Sequence, residues 1–557
     1  MYTDKTSVDT QIFIKEKINI TLNNSILLSG ESLLYKIYNH TNSNSKSLLS
    51  KISYVSLRNE RDSIIFNHKL VLNQKGTQQG AFFIPSTLKT GVYRLLGYTN
   101  FSRNNFKKPF SSKTIYIINP FIKTTNFPKK INSSESITVR SIVTTDTTGV
   151  KKSQNDILIK TDKETYKTRE KITLSIDNFI KKAGHGDYVL SVRKTDSVLV
   201  LDSSVQNTNH TQNESIFYLP ELRGELISGK IIPVEEKTPI KNKIITLTIL
   251  GENYIFKVSK TNNNGHFFFS IPEIHQTSNS IVQINEPDRD KYKLILDKKE
   301  LSLKKKTANT NLQLDPSIKN WLQERSIQLQ IKNAYFNPST KTTLKEHYIP
   351  SFYNTMGTKY VLDDYNRFNT MKETFVEIVK LAGVRKKRKK NKFVIFPTRD
   401  LEGKTLFSSL DPLVLMDGIL IQEADEILDY DAKNIKSINV LEKPYRYGPK
   451  VYGGIIDIKT IKQNFRPKMQ GDYIKELKIE KSLVYNELYS PDYSNTSLDR
   501  IPDYRVQLYW QPDITLTSKK TVKYFYASDI TGTYEITLEG YTNKGDYKLL
   551  KHYFKIR

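Results

Sequence analysis

The chain has no cysteine in its 557 residues. That absence removes disulfides, thiolate zinc sites, iron–sulfur clusters, cysteine nucleophiles and a lipidated cysteine. No run approaches the roughly 18 to 20 consecutive apolar residues of a membrane-spanning helix, and the opening Met1-Tyr2-Thr3-Asp4-Lys5 has no apolar signal-peptide core. As it stands the chain reads as soluble. Acidic residues are in the minority: 86 Lys and Arg face 58 Asp and Glu, a net charge of +28. What is present suffices for packed interiors, because 37% apolar and 11% aromatic residues exclude a disordered chain. At roughly 100 to 200 residues per domain the length implies about three to five domains.

A strongly basic chain raises the question of phosphate-bearing partners, since clustered Lys and Arg release counterions on meeting them. The dense run is Arg385, Lys386, Lys387, Arg388, Lys389 and Lys390, with Lys392 behind it. It is the candidate polyanion-binding site, for lipid headgroups or nucleic acid, and competes with the plainer reading of an exposed turn. Elsewhere lysines alternate with Asn, Ser, Thr and Asp along strand-like segments, the pattern of a solvated surface. Nucleic acid is not the expected partner.

Short β-rich segments bounded by Asn, Ser and Gly dominate, and they predict a mainly β protein: several antiparallel sandwiches in tandem plus one small α+β domain. The expected boundaries are a sandwich over 1–120, a second β domain over 155–216, a third over 219–296, a partly helical connector over 297–357, an α+β domain over 358–462 and a C-terminal sandwich over 468–557. In the connector, Trp321, Leu322, Ile327, Leu329 and Ile331 sit at helical positions. In the α+β domain, Met371, Phe375, Ile378 and Val379 recur at helical spacing behind a Thr370 cap. Strands follow at 393–396, 412–418, 435–441 and 454–460, with a short helix near Ala424 to Leu428.

Two internal echoes stand out. Ser29-Gly30-Glu31 before Leu33 and Ile37 matches Thr168-Arg169-Glu170 before Ile172 and Ile176, a Glu after a turn followed by apolar residues in the same phase. Gly91-Val92-Tyr93 through Gly97-Tyr98-Thr99-Asn100 matches Gly532-Thr533-Tyr534 through Gly540-Tyr541-Thr542-Asn543.

Reaction chemistry is scarce. The eight histidines contain no i, i+4 pair and no His-Glu-x-x-His helix, so no metal site and no cofactor are expected. Asp196, Asp202, Asp288 and Asp290 lie in loops without calcium-loop spacing and read as solvated. Gly453-Gly454 lacks the Lys-Ser/Thr of a phosphate loop and reads as backbone room at a strand entrance. The abundant Tyr and Phe read as sandwich core. No catalytic residue is assigned; the chain is expected not to be an enzyme and no small-molecule substrate is identified.

Pro412-Leu413-Val414-Leu415-Met416-Asp417-Gly418, then Ile435 to Leu441, Tyr447-Gly448 and Gly453-Gly454-Ile455-Ile456-Asp457, resembles the plug domain of TonB-dependent outer-membrane receptors. Leu28-Ser29-Gly30-Glu31 and Ile84-Pro85 through Asn100 resemble the macroglobulin-like sandwich of large Bacteroidetes envelope proteins, which join such sandwiches to a carboxypeptidase-regulatory-like domain and a plug-like segment. The resemblance implies that 219–296 is that regulatory-like domain and that the chain works at the cell envelope, in the periplasm or at the outer-membrane surface. Members carry an export signal, often with a lipid-attachment cysteine; with neither, this chain reads as a processed, truncated or unusual member. The second Glu turn also departs from the family, carrying Thr168-Arg169 where macroglobulin domains have Pro-Gly. A 22-strand pore needs well over ~200 residues after a plug, and 95 follow Lys462, so no pore is expected.

The implied function is non-enzymatic docking of protein partners through sandwich edges and the plug-like module, with Asp417, Gly418, Tyr447, Gly448, Gly453 and Gly454 as candidate docking residues. An outer-membrane β-barrel is the candidate partner, as in TonB-linked uptake or secretion. Peripheral membrane association and polyanion binding are the alternatives.

Overall fold

A computed structural model describes residues 15–41, 46–47, 49–105, 108–122, 136–141, 157–178, 184–202, 217–272, 279–297, 301, 311–335, 351–353, 356–387, 390–396, 410–467, 470–483, 488–494, 498, 500–517 and 520–557. The chain is mainly β, in small and mostly antiparallel sheets, and divides into two units: 1–222 with 301–344 and 482–557, and 223–300 with 345–481.

The first unit contains two sandwiches. The N-terminal one has strands β1 (Glu16–Leu22), β2 (Ile26–Leu28), β3 (Ser32–Thr41), β4 (Ile52–Arg58), β5 (Ile64–Val71), β6 (Thr77–Phe83), β7 (Gly91–Tyr98) and β8 (Ser111–Ile118). They form sheets β1-β3-β6 and β2-β8-β7-β4-β5, with β2 and β8 parallel. The second has β9 (Ile157–Thr161), β10 (Thr165–Tyr166), β11 (Lys171–Asn178) and β12 (Gly186–Lys194), then β13 (Gln507–Leu516), β14 (Thr521–Tyr526), β15 (Gly532–Thr542) and β16 (Tyr547–Ile556). Its sheets are β9-β11-β14 and β10-β16-β15-β12-β13, with β10 and β16 parallel. Strand for strand this is the N-terminal topology repeated.

The expected separate domains at 155–216 and 468–557 are therefore corrected. They are the two halves of one sandwich: β11 pairs with β14, and β12 lies between β13 and β15. The physical reason is core sharing, because inward residues from both halves, among them Ile172, Leu174, Leu190, Ile536 and Phe554, fill a single interior that neither half could close alone.

Both sequence echoes land on equivalent strands. The Glu turns join β2 to β3 and β10 to β11, and inward Leu33, Tyr35 and Ile37 have counterparts in Ile172, Leu174 and Ile176. The Gly-x-Tyr echo opens β7 and β15, and in each the tyrosine hydroxyl reaches back four residues to donate to a carbonyl: Tyr93 to Lys89 (2.8 Å) and Tyr534 to Ile530 (2.9 Å). Gly186-Asp187-Tyr188 repeats the device, Tyr188 donating to the Gly184 carbonyl at 3.0 Å. Such tyrosine corners tie a strand entrance to the preceding loop.

The sandwiches are welded together. Lys36 on β3 donates to Asp187 on β12 (2.6 Å) and to the Pro512 carbonyl, Tyr38 meets Tyr541 edge-on, and Leu34 packs with Val189 and Trp510. A small sheet of Ser136–Ser141, Val198–Asp202 and Asn311–Leu314, with helix α1 (Lys319–Tyr335), covers the outer side of β2, β7 and β8. The helix expected in the connector is thus present, but its buried positions are Arg325, Ser326 and Leu329, while Ile327 is 50% exposed.

In the second unit, strands Glu225–Pro233, Ile244–Ile249, Ile255–Lys260, His266–Ile271, Asn279–Ile284 and Tyr292–Leu296 form a sandwich. It recruits Ile474–Lys478 beside Asn279–Ile284, a strand the sequence reading had given to the C-terminal domain; Ile474–Lys478 belongs here because its partner edge supplies the open backbone groups. The α+β domain has a five-stranded sheet (Thr358–Val361, Ile435–Leu441, Ile455–Thr460, Leu413–Met416, Ile419–Leu420) and helix α2 (Met371–Glu377). Helix α2 starts on a Thr370/Glu373 capping box. Among the described residues no helix is long and apolar enough to cross a membrane.

Candidate functional site

The basic run lies on a β-hairpin, Ala382–Lys387 paired with Lys390–Ile395. Arg385 and Lys386 are exposed; Arg385 stacks 5.4 Å from the Phe396 ring. Lys390 pairs with Glu423 (3.2 Å) and Lys392 with Asp411 (3.4 Å), so part of the positive charge is neutralised locally. Arg388, Lys389 and the Lys387 side chain lie outside the described residues.

The six plug-like candidates are engaged inside their own unit. Asp417 and Gly418 form a two-residue hairpin turn with φ of 49° and 81°, the left-handed geometry such turns demand. The buried Asp417 carboxylate accepts from the Thr460 amide (2.8 Å) and hydroxyl (2.6 Å) and from the Phe465 amide (3.0 Å). A Cβ at Gly418 would sit 2.3 Å from the Tyr254 ring. Tyr447 donates to the Phe256 carbonyl (2.6 Å) and Gly448 abuts Val258. Gly453 and Gly454 leave room for the carbonyls of Leu410 and Leu441, the strand-entrance role expected of them.

Sequence reasoning missed a charged cluster in the first unit, because its members come from segments far apart. Arg325 on α1 forks onto Glu31, Nε to Oε1 at 2.8 Å and Nη2 to Oε2 at 3.0 Å, and also bonds Asp196. Asp196 pairs with Arg193 at 3.3 Å and accepts from Asn24 at 3.0 Å. Asp196 is thus an ion-paired group, not the solvated carboxylate expected; Asp288 likewise pairs with Lys243 (3.0 Å). Burial alone would raise the Glu31 carboxyl, but Arg325 and Arg193 outweigh it and hold it below its ordinary value. Asp196 is lowered in the same way, against burial, by Arg193 and Arg325. The signal available in the sequence was Glu31 itself, whose turn recurs at Glu170.

Beside this cluster is a small cleft, open to solvent, lined by Glu31, Arg193, Arg325, Lys332, Leu488 and Gln507, among others. Its cations are Arg193, Arg325 and Lys332; its carboxylates are Glu31 and the adjoining Asp196. Nothing in it pairs a nucleophile with a base. Among the described residues no group of three His, Cys, Asp or Glu side chains is placed to hold a metal ion. The buried acid Asp457 accepts from the Tyr353 hydroxyl at 2.5 Å and is raised by burial. It lies inside the α+β domain and at the surface contacts nothing.

Comparison with known proteins gives structural neighbours only. No protein-family model matches the chain, and no curated protein matches its sequence. Among solved structures, Salmonella alpha-2-macroglobulin reacted with methylamine aligns over 97% of this chain and 39% of its own, at 8% identity and a TM-score of 0.24. Escherichia coli alpha-2-macroglobulin activated by porcine elastase aligns over 97% and 44%, at 7% identity and a TM-score of 0.25. The chain therefore spans less than half the length of these neighbours. Three N-terminal domains of the bacteriophage RB49 outer capsid protein Hoc align over 54% of this chain, with a TM-score of 0.13.

Proposed function

We propose that this chain is a non-enzymatic protein of the bacterial cell envelope that docks protein partners through its sandwich faces. The observation that carries the reading is the outward face of β16, where Tyr547, Leu549 and Tyr553 are 50%, 47% and 43% exposed, with Lys551 between the last two. A solvated sandwich places polar residues there. The two rings are also fixed: Tyr547 donates to Glu539 (3.0 Å) and Tyr553 to Glu535 (2.6 Å), both on β15. Held aromatic side chains lose little freedom on binding, which is why interfaces favour them. The edge strand β14 adds an exposed Tyr524.

The envelope location rests on the sequence resemblance to macroglobulin-like and plug-like segments. Docking to a transporter barrel through 411–460 takes second place, because Asp417, Gly418, Tyr447 and Gly448 are already engaged within their unit. Polyanion binding is favoured by Arg385 and Lys386, exposed and without an ion pair among the described residues.

Cross-linking in cells followed by purification from detergent-solubilised envelope tests the reading. A partner recovered with the wild type and lost from the Tyr547→Ser, Leu549→Ser, Tyr553→Ser variant supports it. Equal recovery from both, or fractionation of the native protein with the cytoplasm, overturns it.

A further inference from the structure

The cleft beside Glu31 carries positive charge that its own carboxylates do not use up. Arg325 satisfies Glu31, and Asp196 is shared between Arg325 and Arg193. The remaining cation, Lys332, stands seven residues after Arg325 on α1 and makes no hydrogen bond or ion pair among the described residues. Two further atoms are buried without partners. One is Nε of Arg193, a donor on a side chain that is 9% exposed. The other is Oε1 of Gln507, an acceptor on a residue equally buried, whose Nε2 is committed to Ser191, Val192 and Tyr509. A buried donor or acceptor left unmade is costly, and two of them beside the half-buried, unpaired Lys332 describe the complement of a ligand.

We propose that this cleft binds a glutamate or aspartate side chain presented by a protein partner, Lys332 and Arg193 taking the carboxylate and Gln507 accepting from the adjoining peptide N–H. Two cations suit a carboxylate through charge-assisted hydrogen bonds, and the neutral acceptor beside them selects a group that also donates. Burial lowers the Lys332 ammonium, with Arg505 and Arg193 acting in the same sense against Glu31 and Asp503, so an incoming anion would restore what the site has removed. The lining also includes Leu34 and Leu488, apolar contacts for the side-chain methylenes. The inference rests on the docking reading only in taking the carboxylate to come from a protein.

The test is saturation-transfer NMR on the full chain at low salt with capped Ala-Glu-Ala and Ala-Gln-Ala peptides. Transfer to the Glu methylenes, at least fivefold weaker for Ala-Gln-Ala and for Lys332→Gln, and retained in Lys332→Arg, supports the site. Because Lys332 makes no ion pair among the described residues, Lys332→Gln should keep the wild-type unfolding curve; the Arg variant controls for lost packing. Equal transfer from both peptides, or transfer unchanged in Lys332→Gln, overturns it. Succinate binding where the Glu peptide does not would assign the cleft to a free acid and overturn the peptide assignment. None of these results depends on the β16 variant, so failure here is distinguishable from failure of the docking reading.

Discussion

The two sandwiches of the first unit share one eight-strand topology yet are made under different conditions. In the N-terminal copy β4 passes to β5 through 59–63; in the second, the chain leaves β12 at Lys194 and returns to β13 at Gln507. That the long excursion is tolerated follows from chain statistics: closing a loop of several hundred residues in place of a short one costs only ~4 kcal/mol in the denatured-chain estimate, within what a shared core offsets. Burial differs as well. On β3 the outward Leu34, Lys36 and Tyr38 are covered by the second sandwich, so β3 is buried on both faces, whereas the equivalent β11 alternates buried and open residues. Equal strands thus meet unequal surroundings, and the Glu turns show the consequence most sharply. Glu31 and Glu170 make the same local bond, accepting from the amide three residues back (Leu28 at 3.0 Å, Lys167 at 2.7 Å). Glu31 then finds buried Arg325, while Glu170 finds exposed Lys163.

The largest test of this contrast is to remove each partner. Arg325→Ala strands the buried Glu31 carboxylate and takes one of two cations from Asp196, and should cost about 3–5 kcal/mol, against less than ~1 kcal/mol for Lys163→Ala. Both tryptophans, Trp321 on α1 and Trp510 on β13, report on the first unit, so urea unfolding followed by fluorescence reads both variants. Costs within ~1 kcal/mol of each other would break the contrast.

Acid should distinguish the copies next. Burial lowers His40 and His68 in the N-terminal sandwich to about 4, with Lys17 and Lys46 adding to the effect at His40. Unfolded histidine titrates near ~6.5, so between there and pH 4 the unfolded chain takes up protons that the fold refuses. Stability is full above that range and falls as pH drops toward 4, by up to ~3 kcal/mol per histidine. Unfolding curves at pH 7 and 4.5 should converge in a His40→Gln, His68→Gln variant and change less for His552→Gln in the second copy. An unchanged acid loss in the double variant would remove these histidines as its source.

Backbone strain gives a smaller effect. Gly30 has φ of 93° and a Cβ there would stand 3.1 Å from Asn333 and 3.3 Å from Leu329 on α1, so Gly30→Ala should cost about 1–2 kcal/mol. Arg169 occupies the same turn position at φ 60° and anchors itself by forking onto Asp529 (2.7 Å) and the Ile501 carbonyl (2.9 Å). Both Arg169→Ala and Arg169→Gly lose the fork, but the glycine relieves the strain and should be the more stable by ~1 kcal/mol. The reverse order in thermal melts would refute a strained turn.

Least of all, removing a tyrosine-corner hydroxyl should cost ~1 kcal/mol. Tyr534→Phe should exceed Tyr93→Phe, since Tyr534 also meets the Ser528 hydroxyl at 3.0 Å. Equal losses would mean the second contact contributes nothing.

Much of the fold was legible. The strands, the α+β segment, the Thr370 cap and both echoes follow from local pattern. The assignment of halves was not, because β11 and β12 carry no mark saying that their partners lie beyond residue 506. Helix α1 was legible as a helix but not by its buried face, since apolar periodicity cannot foresee a buried arginine. The candidate sites divide the same way. The basic hairpin is a run in sequence and could be seen, while the cleft joins Glu31, Arg193, Lys332 and Gln507 and could not.

By itself the sequence determined the elements: alternating apolar residues set which face of each strand is buried, and Gly-x-Tyr and Glu turns fix how strands begin, all within a few residues of backbone. Only the tertiary structure decided which strands close a core together, which outward faces are covered and where unspent charge collects. Those outcomes depend on contacts between residues hundreds apart, where local propensity is silent and burial and electrostatic pairing choose.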